Sequence, residues 1–367
     1  MKLTAKIVAV CILALGGLWV QGVIASDSPN AGTPTTQEFT FTNVGTATYT
    51  IPDPVTVTVI QTVTGPGPPP PAPPPPPPPP PITCTKTQAG GNLQTFINTL
   101  VVGDAGCISG TYTLSTPVTI NNGGFTLRNT PDFTALIQGG STGAFGKVLE
   151  VHGDNITFYG LEVNGGGTRN CFLLGNGGES SPTAWANDLT FDHVRIHECG
   201  DTDHEHGIYA EFTKRLHVVD SLIYHNGGYG IQMYPQAEDS LIEYDVLDGS
   251  GAVGNAWNLV FAGESAGGEY SQPHCSHGNI VKYSLITFPR GTHGNVASYY
   301  PNGSCAPFGN EVSFSCVFTT VGVNFGQYDG PLGYSQHDNT IADPGYTNRA
   351  TGDFRHTGPA CLDKGPR

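Results

Sequence analysis

Residues Asn155–Gly165 read NITFYGLEVNG, and the same phrase returns five times. It reappears as DLTFDHVRIHE (Asp188–Glu198), RLHVVDSLIYHNGG (Arg215–Gly228), SLIEYDVLDGSG (Ser240–Gly251), NIVKYSLITF (Asn279–Phe288) and EVSFSCVFTT (Glu311–Thr320). Each copy is an apolar alternation closed by a turn of Gly, Asn, Asp or Ser. Anchored on Phe158, Phe191, Val218, Ile242, Val281 and Phe314, the copies stand 33, 27, 24, 39 and 33 residues apart. One such unit cannot bury its own apolar face, whereas stacked units bury a common one. The shortest steps match one turn of a β-solenoid, and the longer ones a turn plus a loop.

A second strand set precedes the repeat: VLEVHG (Val148–Gly153), CFLLG (Cys171–Gly175), GIYAEF (Gly207–Phe212), GIQMYP (Gly230–Pro235), NLVFAG (Asn258–Gly263) and NVASYY (Asn295–Tyr300). Each turn therefore supplies at least two strands. The period of two turns Ile208, Ala210, Ile231 and Met233 inward, and Tyr209, Glu211, Gln232 and Tyr234 outward. Helical spacing is nearly absent. Leu93–Val101 (LQTFINTLV) has it, and reads as a short amphipathic cap over the open end of the solenoid, where unpaired strand edges need cover. The expected fold is all-β, a single-stranded parallel β-helix over residues 84–367 with a short N-terminal cap helix.

The rest of the chain is of another kind. Met1–Ala25 carries Lys2 and Lys6, an uncharged apolar run from Ile7, and Val23-Ile24-Ala25 at its end. That is the pattern of an export signal cut after Ala25; the alternative is an uncleaved membrane anchor. Cys11 lies inside the run, which argues against a lipoprotein cysteine. Residues 26–64 hold two alternating stretches around Ile51-Pro52-Asp53-Pro54, readable as a small β-module or as an extended tether. Pro66–Pro81 has fourteen prolines in sixteen residues, a polyproline II rod of about 50 Å within a linker spanning 65–83.

Eight cysteines remain beyond Cys11, an even number that suggests disulfides in an exported protein. The simplest pairing joins sequence neighbours: Cys84–Cys107, Cys171–Cys199, Cys275–Cys305 and Cys316–Cys361. No C-x-x-C supports zinc instead. Thirty Asp and Glu face fifteen Lys and Arg, a net charge of −15. That argues against nucleic acid and anionic membranes as partners. Charged residues are 12 % of the chain, against about 25 % in an ordinary domain. A neutral polar surface suits an extracellular solenoid.

The arrangement resembles the right-handed parallel β-helix of the pectin-lyase-like superfamily over roughly Cys84–Arg367. The resemblance is carried by HGIYAEF, LIYHNGGYGIQMYP and LIEYDVLDGSG. It extends to IADPGYTNRATGDFRHTGPACLDKG (Ile341–Gly365), similar to the closing segment of many secreted β-helix proteins. It implies a polysaccharide lyase, hydrolase or epimerase, or a non-catalytic adhesin. The individual motifs fit none of these fully. W-I-D-H and R-x-P-x-x-R are absent; of the polygalacturonase set only His206-Gly207 remains; Asp203-His204 lacks the proline of an epimerase D-P-H.

Stacking coils about 4.8 Å apart would bring Tyr209 near Gln232 and Glu211 near Tyr234. Phenol rings cover apolar sugar faces, and amides and carboxylates bind hydroxyls. Tyr209, Gln232, Tyr234 and Glu264 are therefore the expected polysaccharide contacts. CGDTDHEHG (Cys199–Gly207) is the densest titratable stretch: Asp201, Asp203 and Glu205 could hold Ca²⁺, while its H-x-H pair suits Zn²⁺ or proton transfer. Elimination from a uronate needs a cation and a base, for which His206, Tyr209, Lys214 and Arg215 are candidates; a hydrolase needs two carboxylates, which Asp203, Glu205 and Glu211 could supply. The loop Gly263–Gly278, with Glu264, Glu269, Tyr270, His274 and His277, is placed to wall the patch, pinned by Cys275. Phe288–Gly294 adds Arg290 and His293. Glu243 and Lys282 are expected to pair across coils on a solvated face. The chain thus reads as an exported carbohydrate-active protein, secreted or at the cell surface, expected to bind an extracellular polysaccharide, with β-elimination as the reaction class if it cleaves. The alternative is a non-catalytic adhesion or carbohydrate-binding module. Ice binding would need regular Thr-x-Thr rows, which these strands lack.

Overall fold

The computed structural model describes residues 83–367 apart from 131, 141–145, 168, 176–184, 255, 267–269, 300–307 and 330–331, together with the backbone of five short strands before residue 60. The chain divides into two compact units, Met1–Pro74 and Pro75–Arg367. In the first, Ile7–Leu15 pairs antiparallel with Leu18–Ser26. Ala47–Thr50 and Thr56–Val59 form a hairpin joined by Glu38–Phe39. The expected linker lies outside the described residues over 65–82.

The second unit is a parallel β-helix with three sheets. One coil shows the plan: Ile208–Lys214 runs in the third sheet, His217–Val219 in the first, Leu222–Tyr224 in the second, and the chain returns to the third at Ile231–Glu238. The coils stack in register. Leu127, Phe158, Phe191, Val218, Ile242, Val281 and Val312 form one inner column. Val163, Ile196, Ile223, Leu247, Ile286 and Val317 form the second. Leu149, Phe172, Ile208, Ile231, Leu259 and Val296 form the third. All these side chains are shut off from solvent. Phe158, Phe172 and Phe191 meet across the lumen at ring-centre distances of 5.2, 4.9 and 4.8 Å. Each buried side chain of this size contributes about 1.5–3 kcal/mol, so the stacking of coils stabilises a strand set that no single coil could hold.

The repeated phrase is two strands, not one. In NITFYGLEVNG, Thr157–Tyr159 belongs to the first sheet and Glu162–Asn164 to the second. A corner residue with positive φ separates them. Gly160, His193, Asp220, Tyr244, Tyr283 and Phe314 occupy this corner in successive coils, with φ of 62, 54, 49, 59, 52 and 49°. Most are not glycine, and the left-handed region disfavours ordinary side chains; the stacked neighbours hold them there. This corrects the last anchor. Phe314 sits on the corner, and Val312 is the inward residue beside Val281. Beside that inner column, Lys282 lies between Glu243 and Ser313, and Ser313 beside His337. Glu243 and Lys282 pair across coils at 3.4 Å, as expected.

Polar ladders line the inside of the corners. Ser221 N–H donates to Asp245 Oδ1 at 2.7 Å, Asp245 N–H to Ser284 Oγ at 3.2 Å, Ser284 N–H to Ser315 Oγ at 3.2 Å, and Ser315 N–H to Asn339 Oδ1 at 3.0 Å. A second ladder runs from Asn258 Nδ2 to Asn295 Oδ1 at 2.8 Å and from Asn295 Nδ2 to Asn324 Oδ1 at 2.9 Å. Buried corner backbone must find partners, and these side chains supply them.

The ends are closed differently. The cap helix is Leu93–Ile97, shorter than the expected stretch, with Asn92 Oδ1 accepting from Thr95 N–H at 2.9 Å. Gln94 exchanges two hydrogen bonds with the backbone of Thr119 (2.8 and 2.7 Å), so its amide stands in for a neighbouring strand. At the other terminus the tail lies over the outer face of the second sheet. Phe354 and Cys361 pack there with Tyr224, Val246, Leu285 and Cys316. Arg349 Nε meets Asp248 Oδ1 at 2.5 Å beneath it. Three disulfides join Cys84–Cys107, Cys171–Cys199 and Cys316–Cys361. Cys275 is also disulfide-bonded; Cys305, its expected partner, lies outside the described residues. No helix among the described residues is long and apolar enough to cross a membrane.

Candidate functional site

The outer face of the third sheet carries the candidate site. Ile208, Ala210, Ile231 and Met233 are buried inward, and Tyr209, Glu211, Gln232 and Tyr234 are half-buried outward. Tyr209 lies directly beside Gln232. The outward row continues through Val260, Ala297 and Gly326.

Glu211 does not stack on Tyr234. Ala210 pairs with Met233 but Phe212 pairs with Gln236, so Tyr234 and Pro235 together oppose Glu211. That bulge re-aims a side chain. The Tyr234 ring lies 6.5 Å from that of Tyr209 at 27°, and its hydroxyl donates to Glu264 Oε2 at 2.6 Å. Glu264 Oε1 also accepts from the Ser265 N–H at 3.0 Å. Glu211 instead accepts from the Tyr270 hydroxyl at 3.3 Å.

The loop after Gly263 does form a wall. His274–Cys275 doubles back antiparallel to Gly263–Glu264. Phe212, fully buried but on the outer side of the sheet, is covered by Trp185, Tyr270 and His274 with ring centres 5.4, 5.6 and 5.4 Å away. Glu269 lies outside the described residues.

An apolar group on this face was not singled out from sequence. Trp257, Val260, Ala262 and Ala297 form a buried cluster separate from the lumen, with Tyr229, Tyr234 and Tyr299 packed against it. The same period of two in NLVFAG and NVASYY points Val260, Ala262, Ala297 and Tyr299 outward, so the signal was present. The outward row shrinks in side-chain size from Gln232 through Val260 and Ala297 to Gly326; Val260 and Ala297 are closed off from solvent, and the Trp257 ring lies against Gly326. Aromatic rings stand beside the row.

Of the expected acid–base residues Tyr209 and Glu211 lie on this face, whereas His206 and Lys214 are engaged elsewhere, and the expected metal residues are not assembled there. His206 is buried, and its Nδ1 accepts from the Tyr229 N–H at 3.0 Å. Burial drives its pKa down to about 3, with His204 adding a smaller push. Its ring packs edge-on against Tyr209 at 5.3 Å and beside Tyr229 at 5.0 Å. It supports the aromatic patch as a neutral residue and is not placed to take a proton from a ligand. Lys214 is ion-paired with Glu238 at 2.6 Å and lies 4.7 Å over the Trp185 ring. Arg215 is paired with Asp188 at 2.5 Å.

Asp201 and Asp203 are exposed, whereas Glu205 turns inward and accepts from the Thr202 N–H at 3.0 Å and hydroxyl at 2.5 Å. These three carboxylates do not converge, so they do not fit a Ca²⁺ ion, which needs six to eight oxygens around one point. The reason is local: Glu205 opens the strand that enters the third sheet, and its side chain is used to close its own loop. Among the described residues, the group whose ligand atoms do come within 4.8 Å is Asp192, His193 and Asp220, at the corner between the first and second sheets. There His193 Nδ1 meets Asp192, which raises its pKa, and Asp220 accepts from the Arg367 N–H at 2.9 Å. It reads as an ion-pair corner.

The architecture is that of an all-β, parallel β-helix. No family model matches the chain, and no curated protein matches it. Solved structures with a similar fold include an alginate lyase from Paenibacillus sp. str. FPU-7 (17 % identity, TM-score 0.45, covering 69 % of this chain and 94 % of that one). A pectate lyase is similar at 12 % identity and TM-score 0.38, over 74 % of this chain and 84 % of the other. A pectin methylesterase from Aspergillus niger is similar at 12 % identity and TM-score 0.42, over 77 % and 95 %.

Proposed function

We propose that this chain is an exported protein that binds an extracellular polysaccharide along the outer face of the third sheet, as a binding or adhesion module. The observation that carries the reading is a set of half-buried tyrosines on the outside of the solenoid: Tyr229, Tyr234 and Tyr299 pack over a buried cluster of Trp257, Val260, Ala262 and Ala297, and Tyr209 lies beside Tyr234. Flat, part-exposed rings beside amides and carboxylates suit sugars. Gln232, Glu211 and Glu264 would bind hydroxyls at its edge. The export-type segment Met1–Ala25 and the disulfides are consistent with an extracellular setting.

Cleavage by elimination is less well supported. It needs a base at the sugar and a cation on its carboxylate. Of the candidate bases, His206 is withdrawn from the face and Lys214 is paired, while Tyr209 stays on it. Asp201, Asp203 and Glu205 are dispersed. The test is affinity electrophoresis of the protein through gels containing a panel of polysaccharides. At least one should retard it, and Tyr209→Ala with Tyr234→Ala should restore its mobility. Retardation by none would sink the binding reading. A rise in unsaturated product on any of them, lost with chelator, would restore the lyase.

A further inference from the structure

The charges around this face restrict its ligand further. No Lys or Arg occurs between Arg215 and Lys282, nor between Arg290 and Arg349. Those intervals contain three successive third-sheet strands complete, Ile231–Glu238, Trp257–Glu264 and Gly294–Tyr299, and also Val323–Asp329. They contain the wall loop as well. The cations that flank the intervals are committed elsewhere. Lys214 is held by Glu238 and Trp185. Lys282 stands on the first sheet against Glu243. Arg290 donates to the His225 carbonyl at 2.8 Å, and Arg349 is held by Asp248.

The charged groups that do reach the face are carboxylates. Glu211 and Glu264 are each bonded to a tyrosine hydroxyl, Tyr270 and Tyr234 respectively. A polyuronate carries one carboxylate on every sugar, and here it would meet two more with no cation to offset them. Such repulsion is strongest where water is partly excluded. A divalent cation could bridge them only if the protein held one, and Asp201, Asp203 and Glu205 stand apart.

Resting on the polysaccharide-binding reading above, we infer that this face takes an uncharged polysaccharide, one whose pyranose rings present apolar faces, and discriminates against polyuronates. The half-buried rings of Tyr209, Tyr229, Tyr234 and Tyr299 present flat apolar surfaces to such a sugar. Glu211, Glu264 and Gln232 accept from hydroxyls, and carboxylates are acceptors only. Uncharged sugars donate hydroxyl protons throughout, whereas a uronate replaces one donor per sugar with another acceptor.

The experiment uses the full chain in gels containing either an uncharged polymer (hydroxyethyl cellulose, galactomannan, xyloglucan) or a polyuronate (alginate, polygalacturonate), with and without Ca²⁺, at low and high salt. Retardation by an uncharged polymer is expected, unchanged by salt, with the polyuronates at least several-fold weaker. Salt shortens the reach of charge from about 10 Å at 0.1 M to 3 Å at 1 M, so residual polyuronate binding should strengthen as salt rises. A Gln232→Arg variant places a cation in the outward row and should gain polyuronate retardation at low salt. Tighter retardation by polyuronate than by every uncharged polymer overturns this inference while leaving polysaccharide binding intact. Retardation by neither class, in protein whose circular dichroism shows the fold, overturns both.

Discussion

Asp245 is the residue through which the polar ladder can be tested most sharply. It occupies a rung that serine or asparagine fills in the coils that follow it: Ser284, Ser315 and Asn339. Its Oδ1 accepts from the Ser221 N–H at 2.7 Å, but Oδ2 is buried without a hydrogen-bond partner among the described residues. Burial pushes its carboxyl well above the usual range; the Ser221 bond opposes this, and Asp220 and Glu243 add to it. The folded protein therefore binds a proton there that the unfolded chain, titrating near 3.9, has released. Because the folded state holds more protons, stability falls as pH rises. The contribution is full below about pH 4 and is lost on the way to the raised folded value. Asp245→Asn keeps the acceptor and removes the charge. Asn339 shows what the amide can do, since its Nδ2 reaches the Val312 carbonyl at 2.8 Å. Relieving one unsatisfied buried polar group stabilises by about 1–3 kcal/mol. For a unit of this size that corresponds to roughly 2–6 °C in Tm at pH 7. Scanning calorimetry at pH 4 and pH 7 would read it, the gain growing with pH. A loss of stability at pH 7, or a gain of equal size at both, would refute the assignment of a neutral buried acid.

Other outcomes follow from the same structure. Asn258→Ala removes bonds to Thr287 O and Asn295 Oδ1 (both 2.8 Å) and orphans the Ser250 N–H; unfolding in urea should occur with about 2–4 kcal/mol less stability. Arg349→Ala strands Asp248, whose pKa burial already pushes up to about 6. Breaking such a pair costs about 3–5 kcal/mol. Neutral Asp248 needs its partner less, so the deficit should be larger at pH 8 than at pH 5, with faster proteolysis of the tail beyond Ile341. His206, driven down to about 3, binds fewer protons folded than unfolded, so wild-type stability should fall as pH drops from about 6.5 toward 3. His206→Gln should flatten that limb in denaturant titrations. Replacing Cys84 and Cys107 by serine opens a 23-residue separation and should lower stability by roughly 3 kcal/mol, with faster hydrogen exchange at the cap helix.

The sheets and their facing were legible because strand periodicity is local. Ile208, Ala210, Ile231 and Met233 point inward for no other reason than alternation and polarity. Cysteine pairs between sequence neighbours were legible because each pair tested joins segments that the coiling brings together. The corner between first and second sheets was not, since residues as different as His193, Asp220 and Phe314 adopt one left-handed conformation that their own side chains do not favour. The displacement of Tyr234 from Glu211 to Glu264 was hidden too. It depends on two residues of one strand opposing one of another. The loop Asp201–His206 looked like a site because its titratable groups are close in sequence. Folding separates them: Asp201, Asp203 and His204 go to solvent, Glu205 and His206 to the interior.

Alternation and repeat length, read from the chain alone, determined that this is a stacked parallel β-helix and which residues line its lumen. They could do so because burying an apolar face is a property of each strand's own pattern. Only the tertiary structure decided which outward residues form a surface together. Tyr229, Tyr234, Trp257 and Tyr299 become one patch through the register between coils, and His206 loses its proton-accepting role through burial, both set by contacts between segments far apart in sequence.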